Sequence, residues 1–402
     1  MAELPLADLR IVEVSAFVAA PIGSMTLARL GADVIRIDPI GGNIDITRWP
    51  VTAEGKSLYW AGLNKGKRSV ALALHTPEGR EIAEALITLP GENSGILLTN
   101  LSTSGWMSYA ALSAKRPDLI MLALTGNADG TTAVDYTIQC AGGFPSVTGT
   151  GDGPVNSVLP AWDVATGLYI STGLLAAERQ RHRTGKGREI KLSLSDVMLA
   201  TIGDLGLIAE VEINRTARTA IGNDLYGAFG RDFATADGRR VMIVAISTRQ
   251  WKAIGKATGL AAAFDRVQVD TGLNLDLEGE RFQARDAIAG VLAPWCAART
   301  LQEIRGVFEG SGVLWGPYQT FGQLVAEDPR CSPLNPMFGH LEQPGIGRYL
   351  TPRSPLRFGA EMEALRPAPR LGEHTDNVLA EVLGFSASQI GALHDRGIIA
   401  GP

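Results

Sequence analysis

Over the first 130 residues, short apolar runs alternate with amphipathic stretches and turn residues, a pattern that predicts strands and helices in turn. The segment LRIVEVSAFVAAPIGSMTLARLGADVIRIDPIGG reads as a strand from Leu9 to Val14, a loop, a helix from about Ile22 to Leu30 closed by Gly31, and a strand from Ala32 to Asp38. That is a βαβ unit. KRSVALAL predicts another strand, and HTPEGREIAEALITL a helix with Thr76 as N-cap and Pro77 at the first helical position, where a missing N–H costs nothing. GILLTN and DLIMLALTG are apolar runs bounded by turn residues, as in strands buried on both faces. Such alternation predicts a parallel α/β sheet.

The texture changes near residue 220. NDLYGAFGRDFATADGRRVMIVAI predicts two strands joined by a turn at Asp237-Gly238, and TRQWKAIGKATG and LQEIRGVFEG predict helices. CSPLNPMFGHLEQPGIGRYLTPRSPLRFG, rich in Pro and Gly, reads as extended chain with loops. Two short helices, HTDNVLAEVLG and SASQIGALHDRG, close the chain. The expected organisation is a large α/β domain from residues 1–222 and 332–402, built by both chain ends, and a smaller inserted α+β domain at 223–331.

Composition narrows the function. With 402 residues, 45% of them hydrophobic and 20% charged, the chain can bury a large core, and a net charge of -5 disfavours nucleic acid or an acidic membrane as partner. Cys140, Cys296 and Cys331 fit neither a disulfide framework nor a metal site, which points to a reducing compartment, with the cytoplasm as the expected location. MAELPLADLRIVEV has no leader pattern, and no stretch offers about 18 uninterrupted apolar residues. His75, His182, His340, His374 and His394 form no metal-type pair, and no G-x-S-x-G elbow is present. A hydroxyl nucleophile needs a base, whereas a carboxylate, with an ordinary pKa of ~3.9, is already ionised at neutral pH. Covalent chemistry in so histidine-poor a chain points to Asp or Glu.

Several local signals stay open. Asp38 stands where a ribose-binding acid would, but the turn SAFVAAPIG lacks the G-x-G-x-x-G fingerprint, which disfavours a dinucleotide. Loops leaving the carboxyl ends of the strands, Ser15 to Ala20, Pro39 to Asn43 and Asn100 to Ser104, are where such a sheet binds ligands. Lys65, Lys67 and Arg68 in NKGKRSV suit either a solvated strand start or phosphate binding. In LPAWDVATGLYISTGLLAAERQRHRTGKG, Asp163 is placed to cap a helix that Arg179, Arg181 and Arg183 close, an arrangement suited to the helix dipole and to an ionised Asp163. Local chemistry alone makes Asp163 a cap.

Taken together, LADLRIVEVSAFVAAPIGSMTLARLGADVIRID, NKGKRSVAL ahead of TPEGREI, DVATGLYISTGLLAAERQRHRTGKGREIKLSLSDVML and APRLGEHTDNVLAEVLG resemble, in order and spacing, the landmarks of the class III CoA-transferases. The resemblance spans essentially the whole chain. SAFVAAPIGSMTLARLGADVIRIDPIGG, RWPVTAEGKSLYWAGLNKGKRS, LPAWDVATG, GNDLYGAFGRDF and LGEHTD are closest to members that move CoA between the two carboxyls of one methylfumarate skeleton, a net isomerisation. The family's catalytic aspartate falls on Asp163, and its CoA contacts fall on Phe17, Val18, Ala19, Leu72, His75, Asn100 and Leu101. Some relatives carry Arg or Lys where this chain has Pro39 and His75, a common Gly-Asp is here Gly42-Asn43, and the glycine-rich loop of formyl-CoA transferases has no counterpart. The resemblance implies a Rossmann-like large domain, an interlocked homodimer, and no cofactor or metal beyond CoA carried as the substrate thioester. Within such a site Arg48 is a candidate for the free carboxylate of the substrate, and Gly142 and Gly143 are candidate oxyanion donors. Three alternatives stand beside this reading: transfer to a separate acid, a 2-methylacyl-CoA racemase, and CoA binding without catalysis. The racemase would call for a histidine near Thr131 to Tyr136, and none lies between His75 and His182.

Overall fold

The structure is a computed structural model that describes residues 4–359 and 363–402. It divides into two compact units, residues 1–144, 156–217 and 329–402 in the first, and 145–155 with 218–328 in the second.

The first unit is built on strands β1 (Arg10–Val14), β2 (Asp33–Pro39), β3 (Arg68–Leu72), β4 (Ile96–Thr99), β5 (Ile120–Thr125) and β6 (Arg188–Ser193). They lie in the order β3-β2-β1-β4-β5-β6, all parallel, and the C-terminal strand Ile399–Ala400 adds antiparallel to the free edge of β3. Alternation along each strand sorts the core. Ile11, Val34, Leu98 and Leu122 face one side of the sheet, and Val12, Ile35, Leu97 and Met121 face the other. Both faces are covered by helices, which is why these strands read as unbroken apolar runs. Thr76 caps the helix Pro77–Ile87 by accepting the Gly79 amide at 3.0 Å, as its sequence implies.

Two helices on the face of Ile11, Val34, Leu98 and Leu122 set the geometry of the site. Ala19–Arg29 follows β1, and the 24-residue helix Ala161–Thr184 runs against it. They meet backbone to backbone: a Cβ at Gly23 would lie 2.6 Å from Ile170 Cγ2, and one at Gly167 would lie 2.7 Å from Ile22 Cγ2. Only glycine permits that approach, and Ser171 Oγ donates to the Gly23 carbonyl at 2.9 Å across it.

The Pro- and Gly-rich stretch after residue 331 is more regular than its composition implies, forming an antiparallel hairpin of Phe338–Gln343 and Gly347–Pro352. The second unit holds β7 (Phe229–Ala234), β8 (Arg240–Ala245) and β9 (Leu314–Pro317) in one antiparallel sheet, with the hairpin turn at Asp237-Gly238. Phe229, Trp251, Phe264, Trp295 and Phe308 dominate its core. Residues 145–155, which the sequence assigns to the large domain, join this unit; Gly222 N donates to Gly149 O at 2.7 Å. Among the described residues no helix is long and apolar enough to cross a membrane.

Candidate active site

The carboxyl ends of β1 to β4 gather most of the residues singled out above. Immediately after β1, Phe17 takes a left-handed backbone conformation, φ 70°, which costs a non-glycine residue. The surroundings hold it there. The Asn100 side chain brackets Ala16 from both sides, accepting its amide at 2.9 Å and donating to its carbonyl at 2.7 Å, and Asp45 Oδ1 accepts the Phe17 amide at 2.9 Å.

Behind Asp45 lies a buried charge network. Arg36, fully buried, donates twice to Asp38 at 2.9 and 3.0 Å, and to Asp45, the Ser15 carbonyl and Asn64 at 3.0 to 3.1 Å. Its guanidinium lies 4.5 Å from the Trp60 ring centroid. Lys67 Nζ meets Glu13 at 2.8 Å, with both side chains wholly buried. Burial alone would raise the Glu13 pKa, but the charges of Lys67 and Arg36 hold it at about 2. This bears on two signals that the sequence leaves open. Asp38 is spent on Arg36 rather than free for a ribose, and in the basic run at β3 Lys67 pairs inside and Arg68 Nη2 meets Asp33 at 2.6 Å, so these two are spent on acids rather than free for a phosphate.

Asp163 also departs from expectation. The helix begins at Ala161 behind Pro160, so Asp163 is its third residue and not its cap. The amides of Trp162 and Asp163 donate instead to Asp135 Oδ2, at 2.8 and 3.1 Å. Asp135, from the helix Asp135–Ala141, is only 1% exposed. Asp163 is therefore not held ionised by its helix. Burial, and then the charge of Asp135, push its pKa up to about 7 against the lowering effect of Arg48.

Arg48 is thus part of the Asp163 environment rather than a free surface arginine. Its guanidinium lies 4.9 Å from the Tyr59 ring centroid and 5.5 Å from that of Phe17. Tyr59 completes the group. Its hydroxyl is buried without a hydrogen-bond partner among the described residues, and burial drives its pKa to about 12, with Arg48 opposing the rise and Asp163 adding to it. Thr166 Oγ1, one turn beyond Asp163, is likewise buried and unpartnered. Unsatisfied buried donors beside a carboxylate and a cation suit a polar ligand. Asp135, Tyr59 and Asp45 escaped the sequence reading. The hint available for Tyr59 was its place in RWPVTAEGKSLYW beside Arg48, and Asp135 carried no local signal.

Other candidates are distributed less favourably. Asn100 and Leu101 follow β4, and Leu101 is 37% exposed. Val18 and Ala19 have buried side chains at the start of their helix. His75 is exposed on the loop after β3. Leu72 has no exposed surface, because it sits inside β3 between β2 and the C-terminal strand, so a CoA contact there is withdrawn. Gly142 is withdrawn as an oxyanion donor: its amide closes its own helix on the carbonyls of Ile138 and Gln139, at 3.1 and 3.2 Å. Gly143 follows it, exposed, with φ 78°.

The family model for CoA-transferase family III matches residues 6–375. The chain is 57% identical over 401 residues to the 2-methylfumaryl-CoA isomerase of Chloroflexus aurantiacus, covering 99% of this chain and 98% of that one. It is 28% identical to the succinyl-CoA:mesaconate CoA-transferase of Haloarcula marismortui, over 94% and 96% of the two chains. A solved CaiB/BaiF family protein from Brucella suis superposes with a TM-score of 0.77 at 24% identity, over 95% of this chain and all of that one.

Proposed function

The chain belongs to CoA-transferase family III, and from that premise we propose that it isomerises 2-methylfumaryl-CoA to 3-methylfumaryl-CoA by moving CoA between the two carboxyls of one methylfumarate, with Asp163 as nucleophile. The observation that carries this reading is the 57% identity to a 2-methylfumaryl-CoA isomerase along nearly the full length of both chains. The surroundings of Asp163 support the residue assignment: a half-buried carboxylate lies within electrostatic reach of a cation, Arg48, and of Tyr59, whose hydroxyl is unpartnered among the described residues.

An Asp163 carboxylate oxygen attacks the thioester carbonyl, the C–S bond breaks, and CoA leaves as thiolate, giving a mixed anhydride. The thiolate then attacks the Asp163 carbonyl carbon. The bond from that carbon to the bridging oxygen breaks, so the oxygen departs with free methylfumarate and an aspartyl-CoA thioester remains. The other methylfumarate carboxylate attacks this thioester and the two steps run in reverse. No net proton is transferred, and CoA is the sole carrier.

A carboxylate with its pKa near 7 is more basic, hence more nucleophilic, than an ordinary one, and it still supplies the anion at neutral pH. Arg48 is assigned to the far carboxylate of the substrate, and the Tyr59 hydroxyl is the donor available to an oxyanion. Phe17, Val18, Ala19, His75, Asn100 and Leu101 remain the proposed CoA-facing positions, at the carboxyl edge where open parallel sheets bind ligands.

A homodimer fits the exposed helix Leu207–Asn214, which buries none of its residues and presents Ile208, Val211 and Ile213 at 46%, 57% and 79% exposure. Interlocked chains would not part without unfolding.

A second reading, transfer to a separate acid, draws on the 28% identity to a succinyl-CoA:mesaconate CoA-transferase. One assay separates the two. Purified 2-methylfumaryl-CoA, incubated with enzyme and no added acid, is expected to equilibrate with its isomer by mass spectrometry and chromatography. Conversion only after a free acid is added would replace the isomerase reading with the second.

A further inference from the structure

Asp135 takes no part in the bond changes above, yet it is the most elaborately held carboxylate near Asp163. Its Oδ2 accepts the Trp162 and Asp163 amides at 2.8 and 3.1 Å, and its Oδ1 accepts Gln139 Nε2 at 3.3 Å. Gln139, one turn on, accepts the Ser157 amide at 2.8 Å and donates to the Ser157 carbonyl at 3.4 Å. One turn of the helix Asp135–Ala141 therefore grips the chain at Ser157 and again at Trp162 and Asp163, fixing where the nucleophile's helix starts.

The first amides of a helix are unsatisfied and carry partial positive charge, and an acid in the first turn ordinarily gains from them. Here the helix carries two carboxylates at its head, and the buried one holds the amides. Besides Asp135, the charged and titratable groups that act on Asp163 or are acted on by it are Arg48 and Tyr59, on the helix Leu58–Leu63, with Asp45 and Tyr136 acting in turn on Tyr59. Arg48 is the only cation in that set.

We infer that Asp135 is a positioning residue for the transfer: it occupies the amides at the head of the nucleophile's helix, fixes Asp163 in place, and withholds from Asp163 the stabilisation those amides would give its anion. The inference rests on the reading of Asp163 as nucleophile. A cap of purely structural use would be served as well by asparagine, whose side-chain oxygen also accepts amide hydrogens. The negative charge matters only if it acts on Asp163.

The test is the pH dependence of isomerisation in Asp135→Asn, with the Asp163 carboxyl of the unliganded protein titrated by carbon-13 NMR and assigned with Asp163→Asn. In wild type the Asp163 resonance should titrate near 7. In Asp135→Asn that midpoint and the acidic limb of kcat/KM should both move down by about one pH unit or more, with kcat at pH 8 lower by roughly tenfold and KM little changed. Asp135→Glu, which keeps the charge on a longer arm, should retain the limb while losing kcat. A folded Asp135→Asn with wild-type limb and midpoint overturns the inference. So does a wild-type midpoint near that of an ordinary aspartate, a result that needs no variant to fold. Loss of turnover in Asp163→Asn alongside either result leaves the nucleophile standing and removes this inference alone; full turnover in Asp163→Asn removes both.

Discussion

Asp163→Ala is expected to give a folded protein whose turnover is lower by roughly 10⁴-fold or more, because removing the nucleophile of a covalent route leaves only binding and electrostatic contributions. Hydroxylamine added to the wild-type enzyme during turnover should intercept the aspartyl-CoA thioester and leave a modified Asp163, which peptide mass spectrometry reads directly. Asp163→Asn should share the kinetic loss and be more stable than wild type at pH 8. The Asp163 pKa is raised by folding to about 7. Between its unfolded value and 7 the folded state therefore binds more protons than the unfolded one, and wild-type stability falls as pH rises through that window. The penalty is complete above 7. At ~1.4 kcal/mol for each tenfold change it is on the order of a few kcal/mol, reduced by solvent on the open side of the carboxylate. Asparagine escapes it, so the advantage of Asp163→Asn in thermal melts should shrink below pH 7 and vanish near pH 4. Full turnover in either variant would end the assignment.

Arg48→Gln carries the second large expected effect. Arg48 lowers the Asp163 pKa from one side, and its guanidinium rests against the rings of Tyr59 and Phe17, an arrangement that aims charge into the site at small entropic cost. Removing one member of a desolvated charge pair typically costs ~2–5 kcal/mol, so kcat/KM should fall by about 10²-fold or more, with much of the loss in KM. The acidic limb should move to higher pH, opposite in direction to Asp135→Asn, because Asp163 loses the cation that opposes its protonation. Arg48→Lys should recover part of KM through charge alone. An unchanged KM in Arg48→Gln would remove Arg48 from the binding of the free carboxylate.

The strands and their covering helices were legible because a parallel sheet buried on both faces must be written in continuous apolar runs, and Thr76-Pro77 or Asp237-Gly238 carry their geometry within a few residues. Asp163 was legible as the start of a helix but misplaced by three positions, because Pro160 takes the cap and the capping carboxylate comes from Asp135, 28 residues earlier. Nothing in VDYTIQ marks that role locally. Lys67 suits a solvated strand start or a phosphate site as a sequence, and Arg36 carries no signal of its own; whether such a charge faces water or a buried partner depends on which strands are neighbours. Leu72 shows the reverse case, a position carried over by resemblance whose burial only the sheet order discloses. Arg48 was named for the charge of the substrate, and its company of Phe17 and Tyr59 emerged only from the fold.

The covalent route makes one demand that a direct transfer between carboxyls does not: an oxygen atom must pass from the substrate into the protein. When the free carboxylate attacks the aspartyl-CoA thioester, its oxygen becomes the bridge of the second anhydride, and CoA attack on the methylfumarate carbon leaves that oxygen on Asp163. Enzyme incubated with 2-methylfumaryl-CoA bearing oxygen-18 in its free carboxylate should therefore yield an Asp163-containing peptide carrying heavy oxygen on the Asp163 side chain, acquired only with active turnover. Isomerisation of the labelled thioester with Asp163 left unlabelled would contradict the account.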